Sequence, residues 1–174
     1  MTPTDMPSAL TLVTPSQDLL VTYRAALAES HAAGEHLELH PDLLPEYVRR
    51  LAERGTHVPE GRVPESVYWG VVDGEYVGRV SLRHHLTPAL DAWGGHVGYE
   101  VRPSRRGQGY GHRLLAAVLP HARTLGLTRV LLQCDDANAA SARIIEAAGG
   151  VLECHVTNPH GEPGRRYWIE LDPA

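Results

Sequence analysis

Residues 101–111 read Val101-Arg102-Pro103-Ser104-Arg105-Arg106-Gly107-Gln108-Gly109-Tyr110-Gly111. An alternating strand pattern, residues 96–102, leads into it, and a helical pattern, residues 108–125, follows it. The first N–H groups of a helix lack an internal acceptor, and the helix dipole favours an anion beside them by about 0.3–1 kcal/mol. Glycines let the backbone approach a ligand, and arginines add charge-assisted bonds to phosphate oxygens. The stretch therefore predicts a diphosphate site at a strand-to-helix turn.

Three phosphate-binding patterns compete for this turn. The P-loop requires a lysine and a hydroxyl residue after its last glycine, and neither is present. The dinucleotide fingerprint fits Gly109 and Gly111 but has Leu114 in place of its third glycine. Asp135, at the end of the next predicted strand, keeps a nicotinamide dinucleotide enzyme open as a weaker alternative. The third pattern, Arg/Gln-x-x-Gly-x-Gly/Ala, is met at every fixed position from Arg106 onward.

With this third pattern the chain resembles the GNAT superfamily of N-acetyltransferases. The resemblance extends to the later segment Asn138-Ala139-Ala140-Ser141-Ala142-Arg143-Ile144-Ile145-Glu146-Ala147-Ala148-Gly149-Gly150 and covers about residues 67–171. More narrowly, Arg83-His84-His85, Cys134-Asp135 and Arg166-Tyr167-Trp168-Ile169 resemble a bacterial branch of acetyltransferases without an assigned substrate. The resemblance implies an enzyme that moves an acetyl group from acetyl-coenzyme A to a primary amine, and the N-terminal pattern and the cysteine content described below predict a cytoplasmic location.

The hydrophobic pattern predicts an α/β chain, with a mixed, mostly antiparallel sheet of about seven strands and helices on both faces. Asp73-Gly74 is a two-residue hairpin signal between two of the strands. Pro120 is expected to bend or weaken its helix. Predicted strands cover residues 11–13, 66–72, 76–84, 96–102, 128–134, 151–156 and 166–171; predicted helices cover 17–30, 41–54, 108–125 and 139–148; and residues 87–95 are predicted to be a loop.

Composition narrows the class of protein. A length of 174 residues suits a single domain, residues 1–174. The formal net charge of −5 argues against nucleic-acid binding, and no apolar stretch has the length of a membrane span. The N-terminus lacks the pattern of a signal peptide. Two cysteines, whose spacing matches no metal motif, are too few for a disulfide framework and favour a reducing, intracellular setting.

The resemblance also implies which residues bind the cofactor. The pyrophosphate of coenzyme A is expected on the loop amides, and its pantetheine arm along the strand Tyr99 to Val101, where the fourth and fifth strands splay apart. Asn138 is expected either to contact this arm or only to cap its helix. The cofactor-binding residues so implied are Tyr99, Val101, Arg106, Gly107, Gln108, Gly109, Tyr110, Gly111, Asn138 and Ser141.

Catalysis by direct attack requires a neutral amine, and therefore benefits from a general base. The candidates are Glu100, His96, His84 and His85. Each histidine has an ordinary structural role as its alternative, and Glu100 has a salt bridge to Arg79 or Arg102.

The position at which the family often has a proton-donating tyrosine is Ile145 here. Ser141, Tyr110 or Tyr167 are candidates to replace it, unless the thiolate leaves without an acid. A non-catalytic acyl-CoA-binding module is the alternative function that this departure leaves open.

The acceptor is predicted only as a small-molecule or peptide amine. The last strand, with Tyr167 and Trp168, is predicted to be exposed and to support a homodimer. Cys134 is expected to be inert packing rather than a nucleophile. The family's strand order implies that the last strand separates Cys134 from Cys154, so that they form no disulfide.

Overall fold

A computed structural model describes residues 8–172; residues 1–7 and 173–174 of the predicted domain lie outside the described residues. Within this range the strands are β1 (Thr11–Val13), β2 (Glu65–Val72), β3 (Glu75–Arg83), β4 (Val97–Val101), β5 (Arg129–Asp135), β6 (Val151–Thr157) and β7 (Pro163–Glu170). The α-helices are α1 (Leu20–Ala32), α2 (Leu44–Glu53), α3 (Pro88–Ala92), α4 (Tyr110–Thr124) and α5 (Ala139–Ala147), with 3-10 turns at Gln17–Leu19, Pro41–Leu43 and Pro103–Arg105.

The strands form two sheets, ordered β1-β2-β3-β4 and β5-β7-β6, and every pairing within them is antiparallel. This confirms the mixed α/β class and the seven strands. The single sheet that the sequence predicts is instead two sheets, with the break between β4 and β5. The two sheets meet where the His96 N–H donates to the Leu131 carbonyl at 2.8 Å, and the Leu131 N–H donates to Nδ1 of His96 at 2.9 Å. Beyond this point β4 carries no ladder to β5, so one edge of β4 faces an opening.

The β2–β3 hairpin turns at Asp73-Gly74, as predicted. Both residues have positive φ angles, 50° and 79°, which is the requirement of a type I′ turn. The turn sets the pairing of Val72 with Glu75, and a bulge at Gly70/Val71 then shifts the register so that Arg79 of β3 lies opposite Trp69 of β2. In the next pairing, Arg79 lies opposite Glu100 of β4.

Two apolar clusters hold the elements together. The first packs α4 and α5 between the two sheets, and the second packs α1 and α2 against β2 and β3. Trp69 centres the second cluster and stacks on Tyr23 with ring centroids 4.5 Å apart. Burial of such large side chains stabilises the fold by about 1.5–3 kcal/mol each. The fully buried residues include Trp69, Tyr167, Leu44, Leu51, Leu82, Leu114, Leu115, Leu131, Leu132 and Ile145.

One local prediction was wrong. The loop predicted at residues 87–95 contains α3, where the Thr87 hydroxyl accepts the Leu90 N–H at 3.2 Å and Pro88 occupies the first turn. Thr-Pro is a favourable helix start, so the signal was present but too short to show periodicity. α4 continues through Pro120, and the bend or weakening expected there stays a prediction.

The last strand is also not an exposed edge. β7 lies between β5 and β6, and Tyr167 is fully buried. The edge strand of this sheet is β6, where the exposed fractions of Val151 and Leu152 are 68% and 43%. Across residues 8–172, every helix is too short or too polar to cross a bilayer.

Candidate active site

The turn between β4 and α4 owes its shape to two glycines. Gly107 and Gly109 have φ angles of 74° and 80°, in the left-handed region where other residues are strained. A Cβ atom at either position would meet nothing within 4 Å, so backbone conformation, not space, requires glycine here. Gly109 is the N-cap of α4, and its lack of a side chain leaves the helix start open to a ligand.

Gly111 requires a different explanation from the one that the sequence indicates. A Cβ atom there would lie 2.6 Å from Cδ1 of Ile144 on α5. Glycine at this position therefore allows α4 and α5 to pack closely, in addition to bordering the opening beside β4.

The two arginines of the turn are already paired with carboxylates. Arg106 donates to both oxygens of Glu35, at 2.8 and 2.6 Å, and through Nε to the Val101 carbonyl at 3.1 Å. Arg105 forms an ion pair with Glu75. Their charges are compensated in part, so a phosphate at the turn would bind guanidinium groups that already have carboxylate partners.

A cleft of about 1050 Å³ opens between β4, this turn and the start of α5; we call it the β4–α5 cleft. All of the predicted cofactor-binding residues border it except Gln108, whose side chain donates to the Ser104 carbonyl at 3.0 Å. The cleft is lined by Glu35, His36, Tyr99, Glu100, Val101, Arg105, Arg106, Gly107, Gly109, Tyr110, Gly111, His112, Asn138, Ala140, Ser141, Arg143 and Ile144.

Asn138 and Ser141 have defined local roles at the cleft. The Asn138 side chain caps α5 by accepting the Ser141 N–H at 3.0 Å, as its capping alternative predicts. The Ser141 hydroxyl lies 2.7 Å from the Tyr99 hydroxyl. Burial, opposed by this hydrogen bond, raises the pKa of Tyr99 to about 12, so that Tyr99 stays protonated at neutral pH.

A second cavity, of about 570 Å³, is lined by residues of β2, β3 and β4; we call it the arginine pocket. It shares only Tyr99 and Glu100 with the β4–α5 cleft. A molecule in one cavity would therefore meet a molecule in the other at these two residues. The arginine pocket is lined by Arg54, Gly61, Arg62, Val63, Glu65, Val67, Arg79, Ser81, Arg83, Thr87, Ala89, Leu90, Gly98, Tyr99 and Glu100.

Glu100 at this junction has two partners. Its Oε1 lies 2.5 Å from Nε2 of His36, and its Oε2 lies 3.5 Å from Nε of Arg79. The expected alternative partner Arg79 is thus present, whereas Arg102 instead donates to Glu29.

His36 is a site residue that the sequence analysis missed. It has a φ of 54°, unusual for a residue other than glycine, and its carbonyl lies 3.0 Å from Nε2 of His31. Its Nδ1 lies 3.7 Å from the exposed carboxylate of Glu38. No motif links His36 to a glutamate 64 positions later, so only the fold shows the pair.

The three histidines predicted as bases border neither cavity. His96 is buried, its Nδ1 accepts the Leu131 N–H, and burial lowers its pKa. His84 lies 2.8 Å from the Ser66 hydroxyl through Nε2, and burial lowers its pKa as well. Of the four candidate bases, the fold brings only Glu100 to the junction.

The structure also places the candidate proton donors differently from what the sequence predicts. Ile145 is 1% exposed and belongs to the core, and Ile144 is the residue that faces the cleft from this turn of α5. Tyr167 is buried and donates to Glu146 at 2.9 Å. Tyr110 borders the cleft, beside Arg113. The hydroxyl nearest the junction is that of Tyr99, which the sequence analysis placed on the cofactor strand without a role in proton transfer.

The two cysteines are unpaired, with Cys134 buried and Cys154 exposed. β7 separates their strands, as predicted. Burial raises the pKa of Cys134, which disfavours the thiolate that a nucleophile requires.

The chain matches a known protein family over most of its length and one curated relative over a short segment. A family model described as an acetyltransferase (GNAT) domain matches residues 10–151. A curated mycothiol acetyltransferase from Thermobispora bispora is 45% identical over 49 residues, which are 28% of this chain and 17% of that protein. The chain thus matches only a small part of that relative's length.

Solved structures resemble the whole fold at low identity. An acetyl transferase of Salmonella typhimurium that modifies the N-terminal serine of ribosomal protein L7/L12 has a TM-score of 0.69, with 18% identity over 94% of this chain and 95% of that chain. The microcin C7 self-immunity acetyltransferase MccE, in complex with acetyl-CoA and AMP, has a TM-score of 0.72, with 12% identity over 92% of each chain. A chimera of the spermidine N-acetyltransferase SpeG from Vibrio cholerae and hSSAT has a TM-score of 0.65, with 19% identity over 94% of this chain and 96% of that chain.

Proposed function

The chain belongs to the GNAT acetyltransferase family, and on this premise we propose that it acetylates a primary amine held in the arginine pocket. The donor is acetyl-CoA, which supplies an activated acetyl thioester. The observation that carries the proposal is the junction at Tyr99 and Glu100, the only residues that border both cavities. Substrates bound in the two cavities would meet there, beside a carboxylate and a hydroxyl.

The β4–α5 cleft fits the donor in size and chemistry. Its volume of about 1050 Å³ suits a large ligand, and the open backbone at Gly107 and Gly109 leaves room for a pyrophosphate against the start of α4. The unpaired edge of β4, from Tyr99 to Val101, offers backbone groups to an extended amide-bearing arm. We assign the pyrophosphate to the turn and the arm to this edge.

Glu100 is the proposed general base. The amine nitrogen attacks the thioester carbonyl carbon, a C–N bond forms, the C–S bond breaks, and Glu100 accepts the proton that the amine releases. His36, 2.5 Å away, receives that proton and passes it toward solvent at Glu38. His36 is a positioning and relay residue in this scheme, because it acts through Glu100.

Tyr99 is the proposed acid for the departing thiolate. Its pKa of about 12 keeps the hydroxyl protonated at neutral pH, and Ser141 orients it. This assignment replaces a donor on α5, where both Ile144 and Ile145 lack a proton to give. Thiolates are fair leaving groups, with a pKa of about 8.5 by analogy with cysteine, so we expect a modest contribution from this step.

Two measurements on the purified chain test the proposal. Acetyl-CoA is expected to raise the melting temperature, whereas NAD is not. Release of free coenzyme A is expected when primary amines are added with acetyl-CoA. Stabilisation by NAD alone would contradict the assignment of the cleft, and binding of acetyl-CoA without turnover of any amine would favour the non-catalytic alternative.

We also propose a cytoplasmic location and a homodimer. The unpaired thiols of Cys134 and Cys154 support a reducing compartment.

The edge strand β6, with its exposed Val151 and Leu152, offers unpaired backbone groups and apolar surface to a second copy. Sedimentation analysis of the wild type and Val151→Lys tests the dimer, since the charge should favour the monomer.

A further inference from the structure

We propose that the acceptor amine carries an anionic group, a carboxylate or a phosphate, which the arginine pocket binds. The inference rests on the proposed function, because it concerns the acceptor of that same reaction. The pocket wall holds four arginines and two glutamates, a formal excess of two positive charges. The whole chain has a formal net charge of −5, so this local excess opposes the charge of the molecule.

The glutamates of the pocket do not occupy all of the hydrogen-bond donors of its arginines. Glu65 serves two arginines at once, with Oε2 3.0 Å from Nη1 of Arg54 and Oε1 3.8 Å from Nε of Arg83. Only 13% of its side chain is exposed, so its ion pairs with the two arginines are largely shielded from solvent. One carboxylate cannot neutralise two guanidinium groups, and each keeps donors for a further anion.

Arg83 is fixed in place before any ligand arrives. Its Nη1 donates to the carbonyls of Gly94 and Gly95, both at 3.0 Å. Such anchoring reduces the side-chain entropy that binding would otherwise cost. A planar guanidinium held in one orientation matches the oxygens of a carboxylate or phosphate.

Arg62 adds a charge that pairs with no carboxylate in the part of the chain that the structure describes. Within residues 8–172 it takes part in no ion pair, and it lies exposed at the rim of the pocket. The hydroxyl residues Ser81 and Thr87 line the same cavity. An arginine at the rim without an internal partner is suited to attract and hold an incoming anion.

The charged residues of the pocket are unevenly distributed along its length. The end that it shares with the cleft holds Glu100, paired with His36 and Arg79, and this is where the amine must lie for transfer. The remaining wall holds Arg54, Arg62 and Arg83. An acceptor with an amine at one end and an anion at the other matches this arrangement, whereas a polyamine would place its second cation among the arginines. A volume of about 570 Å³ is in the range of small-ligand sites.

Matched acceptors test the inference with the wild-type chain. We compare 5-aminopentanoate, its neutral analogue 5-aminopentanamide, 3-aminopropyl phosphate and spermidine, each with acetyl-CoA. Charge-assisted hydrogen bonds predict that kcat/KM for an anionic amine exceeds that for the amide by about tenfold or more. The two anionic arms distinguish a carboxylate acceptor from a phosphate acceptor. Thermal stabilisation by the same four compounds in the presence of coenzyme A measures binding apart from turnover.

A variant locates the effect in the pocket. Arg62→Gln is expected to reduce the preference for the anionic amine by about threefold to tenfold, with the affinity for coenzyme A unchanged. Arg24→Gln, at an exposed position on α1, removes the same charge outside both cavities and should leave the preference intact.

The outcomes separate this inference from the proposed function. Equal or better turnover of the amide or of spermidine overturns the anionic acceptor and leaves the acetyltransferase standing. If no amine is turned over, equal stabilisation by all four compounds also overturns it. Loss of preference in both arginine variants refutes the assignment to the pocket, because bulk charge would then explain it. Failure of acetyl-CoA itself to bind contradicts the proposed function instead.

Discussion

The β4–α5 cleft and the arginine pocket share two residues of β4, and they are built in contrasting ways. The cleft is formed largely by one continuous segment, residues 99–111, together with the start of α5. Its defining features are backbone amides and left-handed glycines. The arginine pocket gathers side chains from residues 54–100, and its chemistry depends on ion pairs between distant positions. A site made of local backbone can be read from a motif, whereas a site made of assembled side chains requires the fold.

The largest effect is expected at the junction, where the two regions meet. Glu100→Gln keeps the shape of the side chain but removes the proposed base, and it should lower kcat by about 10²- to 10³-fold. Affinity for coenzyme A should change little, because the turn is untouched. Steady-state kinetics and calorimetric titration measure the two quantities.

His36→Asn is the companion variant, because asparagine tolerates the positive φ at this position. It should lower kcat less, by about tenfold, since Glu100 is retained. Glu60→Gln, at an exposed position outside both cavities, serves as the control. Full activity of Glu100→Gln on a substrate that the wild type acetylates would remove the junction from the mechanism.

The second prediction concerns the turn alone. Gly109→Val places a β-branched residue at a φ of 80° and should weaken coenzyme A binding by about tenfold to a hundredfold. Gly111→Ala should also weaken it, but through the contact with Ile144, so the double variant Gly111→Ala/Ile144→Val should recover part of the loss. Calorimetry on folded variants decides the matter. Unchanged affinity in Gly109→Val would mean that the pyrophosphate binds elsewhere.

A smaller effect is expected from the proposed acid. Tyr99→Phe should lower kcat by about threefold to tenfold, because a thiolate leaves without much help. Since the pKa of Tyr99 is raised to about 12, the hydroxyl remains protonated across the usual assay range. The pH profile of the wild type should therefore show no loss of activity from Tyr99 below about pH 11. A Tyr99→Phe enzyme with wild-type kcat at every pH would exclude this role.

The smallest effect concerns the anchor between α1 and the turn. Glu29 accepts from Nε and Nη2 of Arg102, at 2.9 and 2.6 Å, and from the Ser104 N–H at 3.1 Å. The hydrogen bonds from Arg102, opposed by burial, lower the pKa of Glu29 to about 2. Its stabilising contribution is thus complete above the unfolded pKa of about 4.3 and is lost as the pH falls toward 2.

At pH 7, Glu29→Gln should have a free energy of unfolding about 1–3 kcal/mol lower than that of the wild type. Near pH 2 this difference in stability should be smaller, because the Glu29 carboxylate of the wild type becomes protonated there. Urea unfolding at the two pH values measures this, with Glu60→Gln at an exposed loop position as the control. A stability difference independent of pH would mean that the carboxylate is not the source of the anchor.

The sequence predicted those features that neighbouring residues determine. The Asp73-Gly74 turn, the Asn138 cap and the strand-to-helix turn at Gly109 each depend on a few adjacent residues, and the structure has all three. α3 was missed because a five-residue helix is too short for a periodic pattern.

The remaining features depend on contacts between distant residues. The pairing of Arg106 with Glu35 joins positions 71 apart, and no local pattern encodes it. His36 reaches Glu100 in the same way. Ile145, which matches the family's tyrosine position, lies in the core, whereas its neighbour Ile144 borders the cleft, because successive residues of a helix face different directions. The arginine pocket could not be predicted at all, because it exists only once β2, β3 and β4 lie side by side.

A crystal structure of this chain with coenzyme A would locate the donor. We expect the pyrophosphate within about 2.7–3.2 Å of backbone amides between Gly107 and Gly111. We also expect the arm along the edge of β4 and the sulfur at the wall formed by Tyr99 and Glu100. A pyrophosphate bound among Arg54, Arg62 and Arg83 instead would exchange the roles of the two cavities and disprove the assignment of the donor to the β4–α5 cleft.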